Sequence, residues 1–272
     1  MSERLPVVDR LIFLLFLIII AVPFVTPMKL PLPISPSTRK VYEVVTGLKP
    51  GDAVLWVTDF TLSGWAEVAP GEIAILNLIL DQCREKGVKL VLATTYSGES
   101  MAVVKRIYGK YLDFSGLKYG EDYVFLGWVP GYESALAGMA SDLHATVKTD
   151  YYGTPLSEIP MMKSLRRKED FALFGFSSST SPDPYPRQWS GVPIVANILV
   201  ATVGWLMPYV EKGIVVAYIA GIKGGAELEY LMGKPGMAMG LITAQSLAHF
   251  YGVALVIVAN IYYFGFARRE KR

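Results

Sequence analysis

The residues of this chain that could do chemistry gather at the ends of apolar runs. In YIAGIKGGAELEY, residues 218–230, Lys223, Gly224 and Gly225 lie where a strand-like run gives way to a helix-like one. Backbone amides at a helix start, with a lysine beside them, can converge on a phosphate. The spacing fits neither nucleotide motif. A P-loop needs four residues between its first glycine and Gly-Lys, then Ser or Thr, and the dinucleotide fingerprint is spaced differently again. Glu227 and Glu229 follow at once, which suits a helix start but repels an anion. Paired glycines at such a corner more often let the backbone turn and pack closely.

Asp59 ends the run AVLWVTDF, residues 53–60. A carboxylate there can hold a metal, act as a general base or meet a sugar hydroxyl, and it can equally cap the next turn. Thr94 and Thr95 end VKLVLATTY (88–96), and Ser177 lies in DFALFGFSSS (170–179). Asp59, Thr94, Thr95, Ser177, Lys223, Gly224 and Gly225 form the candidate ligand-binding set. No residue earns a catalytic role. There is no Gly-x-Ser-x-Gly elbow, and His144 has only Asp142 near it in sequence, so a hydrolase triad has no support. The one cysteine, Cys83, excludes an internal disulfide, and two distant histidines, His144 and His249, make a metal cluster improbable. No metal is expected, and no cofactor can be named.

The elements that must carry these residues alternate regularly. Strands are expected at 53–60, 88–96, 122–128, 170–179, 192–200 and 214–221. Helices are expected at 70–87, 99–112, 134–147 and 223–232, with a short one near 38–47. Proline opens and glycine closes the helix at 70–87, and Ile73, Leu76, Ile79, Leu80 and Cys83 form its apolar face. Apolar strands between amphipathic helices imply an α/β fold, a Rossmann-like, mainly parallel sheet of about six strands. Ligands of such sheets bind beyond the carboxyl ends of the strands, where the candidate set falls. TDYYGTPLSEIP (149–160) is a long insertion that either meets a partner or covers a sheet edge.

A hydrophobic share of 52% turns attention to membranes. LIFLLFLIIIAVPFVTPM (11–28) reads as a retained anchor rather than a cleaved leader, since no small-x-small cleavage site follows it. A second span is expected within 237–266, ending in an aromatic belt at Tyr262, Tyr263, Phe264 and Phe266 before a basic tail. The uncharged stretch 191–210 is broken by Pro193, Asn197, Gly204 and Pro208, and reads as a strand, a turn and a short helix. The expected organisation is an anchor (1–28), a stalk and short helix (29–50), an α/β domain (51–235), a second transmembrane helix (236–266) and a basic tail (267–272). The compact basic cluster favours cytoplasmic termini and an extracytoplasmic domain. The last domain helix should lead down to the second span, placing the bilayer beneath the amino ends of the strands.

Gln245, His249 and Gly252 share a face of the second span, which Asn260 continues. Polar residues in a span usually face protein, so this stripe is the expected contact with the first span, a second copy or another subunit. With a net charge of +2 and a nearly neutral middle, the chain shows no footprint for nucleic acid. DYYGTP, GIKGGAELEY and AQSLAHF together resemble a family of prokaryotic membrane proteins of no assigned activity, over about residues 50–265. The resemblance implies an α/β domain followed by a membrane helix and transfers no site residue. The leading expectation is a non-catalytic subunit of a larger membrane assembly; the alternative is an enzyme or ligand-binding module using the strand-end cleft.

Overall fold

A computed structural model describes residues 7–25 and 32–267. The start of the stalk and all but the first residue of the basic tail lie outside the described residues. Helix α1 (Val7–Val25) is uncharged after Arg10. Helix α2 (Pro36–Thr46) opens on Pro36 with its preset φ, and Ser35 caps it by accepting the Thr38 amide. Strand β1 (Ala53–Asp59) leads into α3 (Trp65–Lys86), and β2 (Lys89–Thr94) into α4 (Gly98–Lys110), capped by Ser97. After β3 (Tyr123–Trp128) come α5 (Glu133–Ser141) and the single turn α6 (Leu143–Thr146). The helix expected across 134–147 is broken there because Asp142 leaves helical geometry to cap the Ala145 amide.

Then follow β4 (Leu173–Ser178), α7 (Pro184–Trp189), β5 (Ile194–Ile198), α8 (Val203–Glu211), β6 (Val215–Ala220), α9 (Gly221–Met232) and α10 (Met237–Tyr262). Helix α3 starts five residues earlier than its proline implied, so Pro70 sits in its second turn and costs one intrahelical bond. The stretch 191–210 is a strand, a 3-10 turn at Val200–Thr202 and α8, as its breakers indicated.

All six strands are parallel, in the order β3-β2-β1-β4-β5-β6, so the chain reverses direction between β1 and β4. One face is covered by α2, α3, α4 and α9, and the other by α5 to α8. Trp56 of β1, fully buried, lies flat against β4 because Gly175 has no side chain; a Cβ there would sit 2.1 Å from the indole. The Rossmann-like arrangement follows from strands apolar on both faces and helices apolar on one.

The glycines of the 218–230 segment divide their labour. No loop separates β6 from α9: Gly221 alone makes the corner, with φ at +62°. Gly224 and Gly225 are helical and buried. A Cβ on Gly225 would lie 3.0 Å from both the Ala238 Cβ and the Gly71 amide nitrogen. These glycines let α3, α9 and α10 approach closely. Gly225→Ala should therefore destabilise the protein by about 1–3 kcal/mol through overpacking, outweighing the roughly 1 kcal/mol that alanine gains in a helix. A thermal melt showing Gly225→Ala as stable as the parent would refute this packing role.

Helices α1 and α10 are each long and apolar enough to cross a membrane. They lie antiparallel: Gly240 is beside Phe24, Phe16 and Tyr251 rings are 5.7 Å apart, and the Tyr251 hydroxyl donates to the Ile12 carbonyl at 2.8 Å. Helix α10 does not continue from the end of α9. Ala238 sits beside Gly225, in the first half of α9, so the chain has folded back after Gly233. That reversal removes the reason for placing a bilayer beneath the amino ends of the strands. The buried Glu229 fixes it, accepting the amides of Gly236 (2.8 Å), Ala238 (2.9 Å) and Met239 (2.8 Å) at the start of α10. Burial pushes its carboxyl up, and the three amides pull against that rise.

Candidate functional site

Asp59 sits at the carboxyl end of β1, where strand order reverses and open parallel sheets usually take their ligands. Its carboxylate is fully buried and takes five donors. Oδ1 accepts the Thr94 hydroxyl (3.0 Å) and the amides of Thr95 (2.6 Å) and Tyr96 (3.0 Å). Oδ2 accepts the hydroxyls of Thr95 and Tyr185, the latter at 3.0 Å. Tyr185 is itself fully buried, stacked on Phe176 with ring centres 4.0 Å apart. The crevice that would admit a ligand is filled by the protein's own rings. Burial pushes the Asp59 carboxyl up, and the donors of Thr95, Tyr96 and Thr94 pull it back. A carboxylate so enclosed ties β1, β2 and α7 together; it presents no lone pair to a substrate.

The other predicted residues do not join it. Ser177 pairs with Thr58 in register and points to the opposite face of the sheet from Asp59, toward α3. Lys223 lies beyond β6, three strand spacings from β1, or about 14 Å. Its ammonium is 3.5 Å from the Glu227 carboxylate, which also accepts the Ser35 amide (3.1 Å) and hydroxyl (2.7 Å). With its cation paired and Gly224 and Gly225 spent on helix packing, this corner is no phosphate cradle. Of the candidate set, only Asp59, Thr94 and Thr95 come together. Among the described residues no group of three or more His, Cys, Asp and Glu is placed to hold a metal.

Ser177 belongs instead to a second buried polar cluster on the α3 face. The Asn197 amide donates to the Ser177 hydroxyl and to the Val68 carbonyl, each at 2.9 Å. Thr58 donates to Glu72 Oε1 and lies 3.3 Å from the Tyr108 hydroxyl. Glu72 and Asn197 are fully buried, and Glu72 Oε2, Asn197 Oδ1 and Trp56 Nε1 have no hydrogen-bond partner among the described residues. Burial pushes the Glu72 carboxyl to about 7; the nearby Ser177 and Thr58 hydroxyls and the Trp56 indole N–H, which comes close without making a hydrogen bond, pull it down, and the Asp59 charge adds a little to the rise. No protein-family model matches the chain, and no curated protein does.

Glu72 was within reach of sequence reasoning. It precedes Leu76 by four residues and Ile79 by seven, so it lies on the buried face of α3. Tyr185 carried no such signal, because α7 is six residues long and shows no period. On α10, Gln245, His249, Gly252 and Asn260 are all exposed and share one side. At about 100° per residue Gln245, His249 and Asn260 lie at least a third of a turn from Gly240 and Tyr251, which meet α1, and Gly252 lies at least about 100° from each. Asn260 donates to its own helix, at the Val256 carbonyl (2.8 Å). Helix α1 is therefore not the partner of this stripe.

Proposed function

We propose that this chain is a membrane-tethered α/β domain serving as a non-catalytic subunit of a larger membrane assembly. One observation carries the reading: Gln245, His249 and Gly252 form a polar stripe on α10 that faces away from α1. An amide and an imidazole left against lipid are costly, whereas a neighbouring helix satisfies them and packs closely at a glycine. The sealed Asp59 site supports the non-catalytic part, since the strand-end crevice is filled from within. The termini are placed in the cytoplasm and the domain outside it, on the strength of the basic cluster after α10.

Purification of the whole protein in mild detergent tests this reading. The expected result is a discrete species larger than one chain, or a stoichiometric co-purifying membrane protein. Gln245→Leu with His249→Leu should release the single chain without shifting its melting temperature. A monodisperse monomer with nothing bound, from the unaltered sequence, would defeat it.

A further inference from the structure

Beside the edge strand β3 lies a cavity of about 280 Å3 walled almost wholly by aromatic rings. Tyr108 from α4, Phe114, Tyr119, Tyr123 from β3, and Tyr151 and Tyr152 from the 149–155 loop supply most of its lining. The rings brace one another. Phe114 stacks on Tyr123 at 4.4 Å, and Tyr119 meets Tyr123 at 5.3 Å and Tyr152 at 5.1 Å, both edge to face.

The loop is built to hold its tyrosines still. Asp150 accepts the Tyr119 hydroxyl (2.7 Å) and the amides of Tyr152 (2.9 Å) and Thr154 (2.8 Å). The Tyr151 amide donates to the Phe125 carbonyl at 2.9 Å, extending the sheet edge. Gly127, at φ +80°, leaves room for the Tyr151 ring, which a Cβ would meet at 3.3 Å. Yet Tyr152 stays 70% exposed and Tyr151 40%, and neither hydroxyl has a partner among the described residues. Covering a sheet edge explains the amides; it does not explain two rigidly presented, half-open rings with bare hydroxyls.

The charge of a ligand follows from Lys105. Aromatic pockets ordinarily attract cations to their ring faces. Here the Lys105 ammonium already lies 5.6 Å from the Tyr151 ring centre, so the cation's place is taken by the protein. Among the described residues no carboxylate lines the cavity, and Asp150 is occupied by the Tyr119 hydroxyl and two amides of its own loop. What the pocket lacks is an anion. Its volume suits one substituted ring and is too small for a nucleotide.

We propose that this pocket binds a small molecule with one planar ring and one anionic group, of the benzoate or phenolate class. The ring lies among the tyrosines and the anion pairs with Lys105. Gly109 gives a clean test, because it borders the cavity and a Cβ there meets no atom within 4 Å. The whole protein in detergent is titrated calorimetrically with 4-hydroxybenzoate, its neutral amide and phenyltrimethylammonium. Saturable binding of the benzoate is expected, up to about fivefold tighter than the amide, the scale of one partly exposed ion pair. Lys105→Met should erase that preference, and Gly109→Phe should abolish binding with the melting temperature kept. Tyr152→Ala, at an exposed site, should weaken it several-fold. Absence of saturable binding, equal or tighter binding of the amide or the ammonium, or binding untouched by Gly109→Phe overturns the proposal.

Discussion

Asp59→Ala is expected to cost the domain about 3–5 kcal/mol, a large part of the 5–15 kcal/mol that a domain usually has. The loss does not come from a missing charge. It comes from five donors left facing a void: two backbone amides, of Thr95 and Tyr96, and three hydroxyls, of Thr94, Thr95 and Tyr185. A buried amide without an acceptor costs about 1–3 kcal/mol, and the hydroxyls can rotate toward other partners while the amides cannot. Asp59→Asn keeps one acceptor oxygen and should lose roughly half as much. Chemical denaturation of the purified protein measures both. If Asp59→Ala melts like the parent, the carboxylate is not the tie between β1, β2 and α7, and a binding role for it returns.

The same residue shows how far the sequence could be read. Its place at the end of β1 was legible, because AVLWVTDF is apolar on both faces and stops at an acid. The parallel sheet was legible for the same reason: every expected strand overlaps an observed one, since a doubly covered strand needs an unbroken apolar run. What surrounds Asp59 was not. Tyr185 reaches it from 126 residues away, on a helix too short to have a period. Ser177 was misplaced by a simpler cause. Strand ends do not form one rim, because side chains alternate faces, and a single-residue step separates Ser177, which looks toward α3, from Ser178, level with Asp59. The glycine corner misled because close helix packing and phosphate binding both ask for glycines after a strand. Only the neighbours of Gly225, namely Gly71 and Ala238, distinguish them.

Glu72→Gln is expected to flatten the acid-to-neutral slope in the stability of this protein. Buried against β1, the Glu72 carboxyl is pushed from its ordinary 4.5 to about 7, so the folded chain holds its proton more tightly than the unfolded one. The sign follows from linkage. A raised folded-state value gives stability that is fully present below about pH 4.5 and is lost as pH climbs through 7. At 1.36 kcal/mol for each tenfold change in proton affinity, the loss is about 3 kcal/mol across that window. Glutamine keeps an acceptor for Thr58 and a similar volume but has nothing to titrate. Denaturation curves at pH 5 and pH 8 should therefore differ by about 2.5 kcal/mol more in the parent than in the variant. The variant should match the parent at pH 5 and exceed it at pH 8. The cluster itself gives the physical reason to prefer the neutral form: no cation lies among Thr58, Tyr108, Ser177 and Asn197, and Asn197 Oδ1 has no donor. A neutral carboxyl brings an O–H into that cluster, whereas a carboxylate has only the Thr58 and Ser177 hydroxyls and the Trp56 indole N–H to set against the cost of burying its charge. Equal slopes in parent and variant would mean that Glu72 stays charged in the fold, held by a cation this arrangement does not supply.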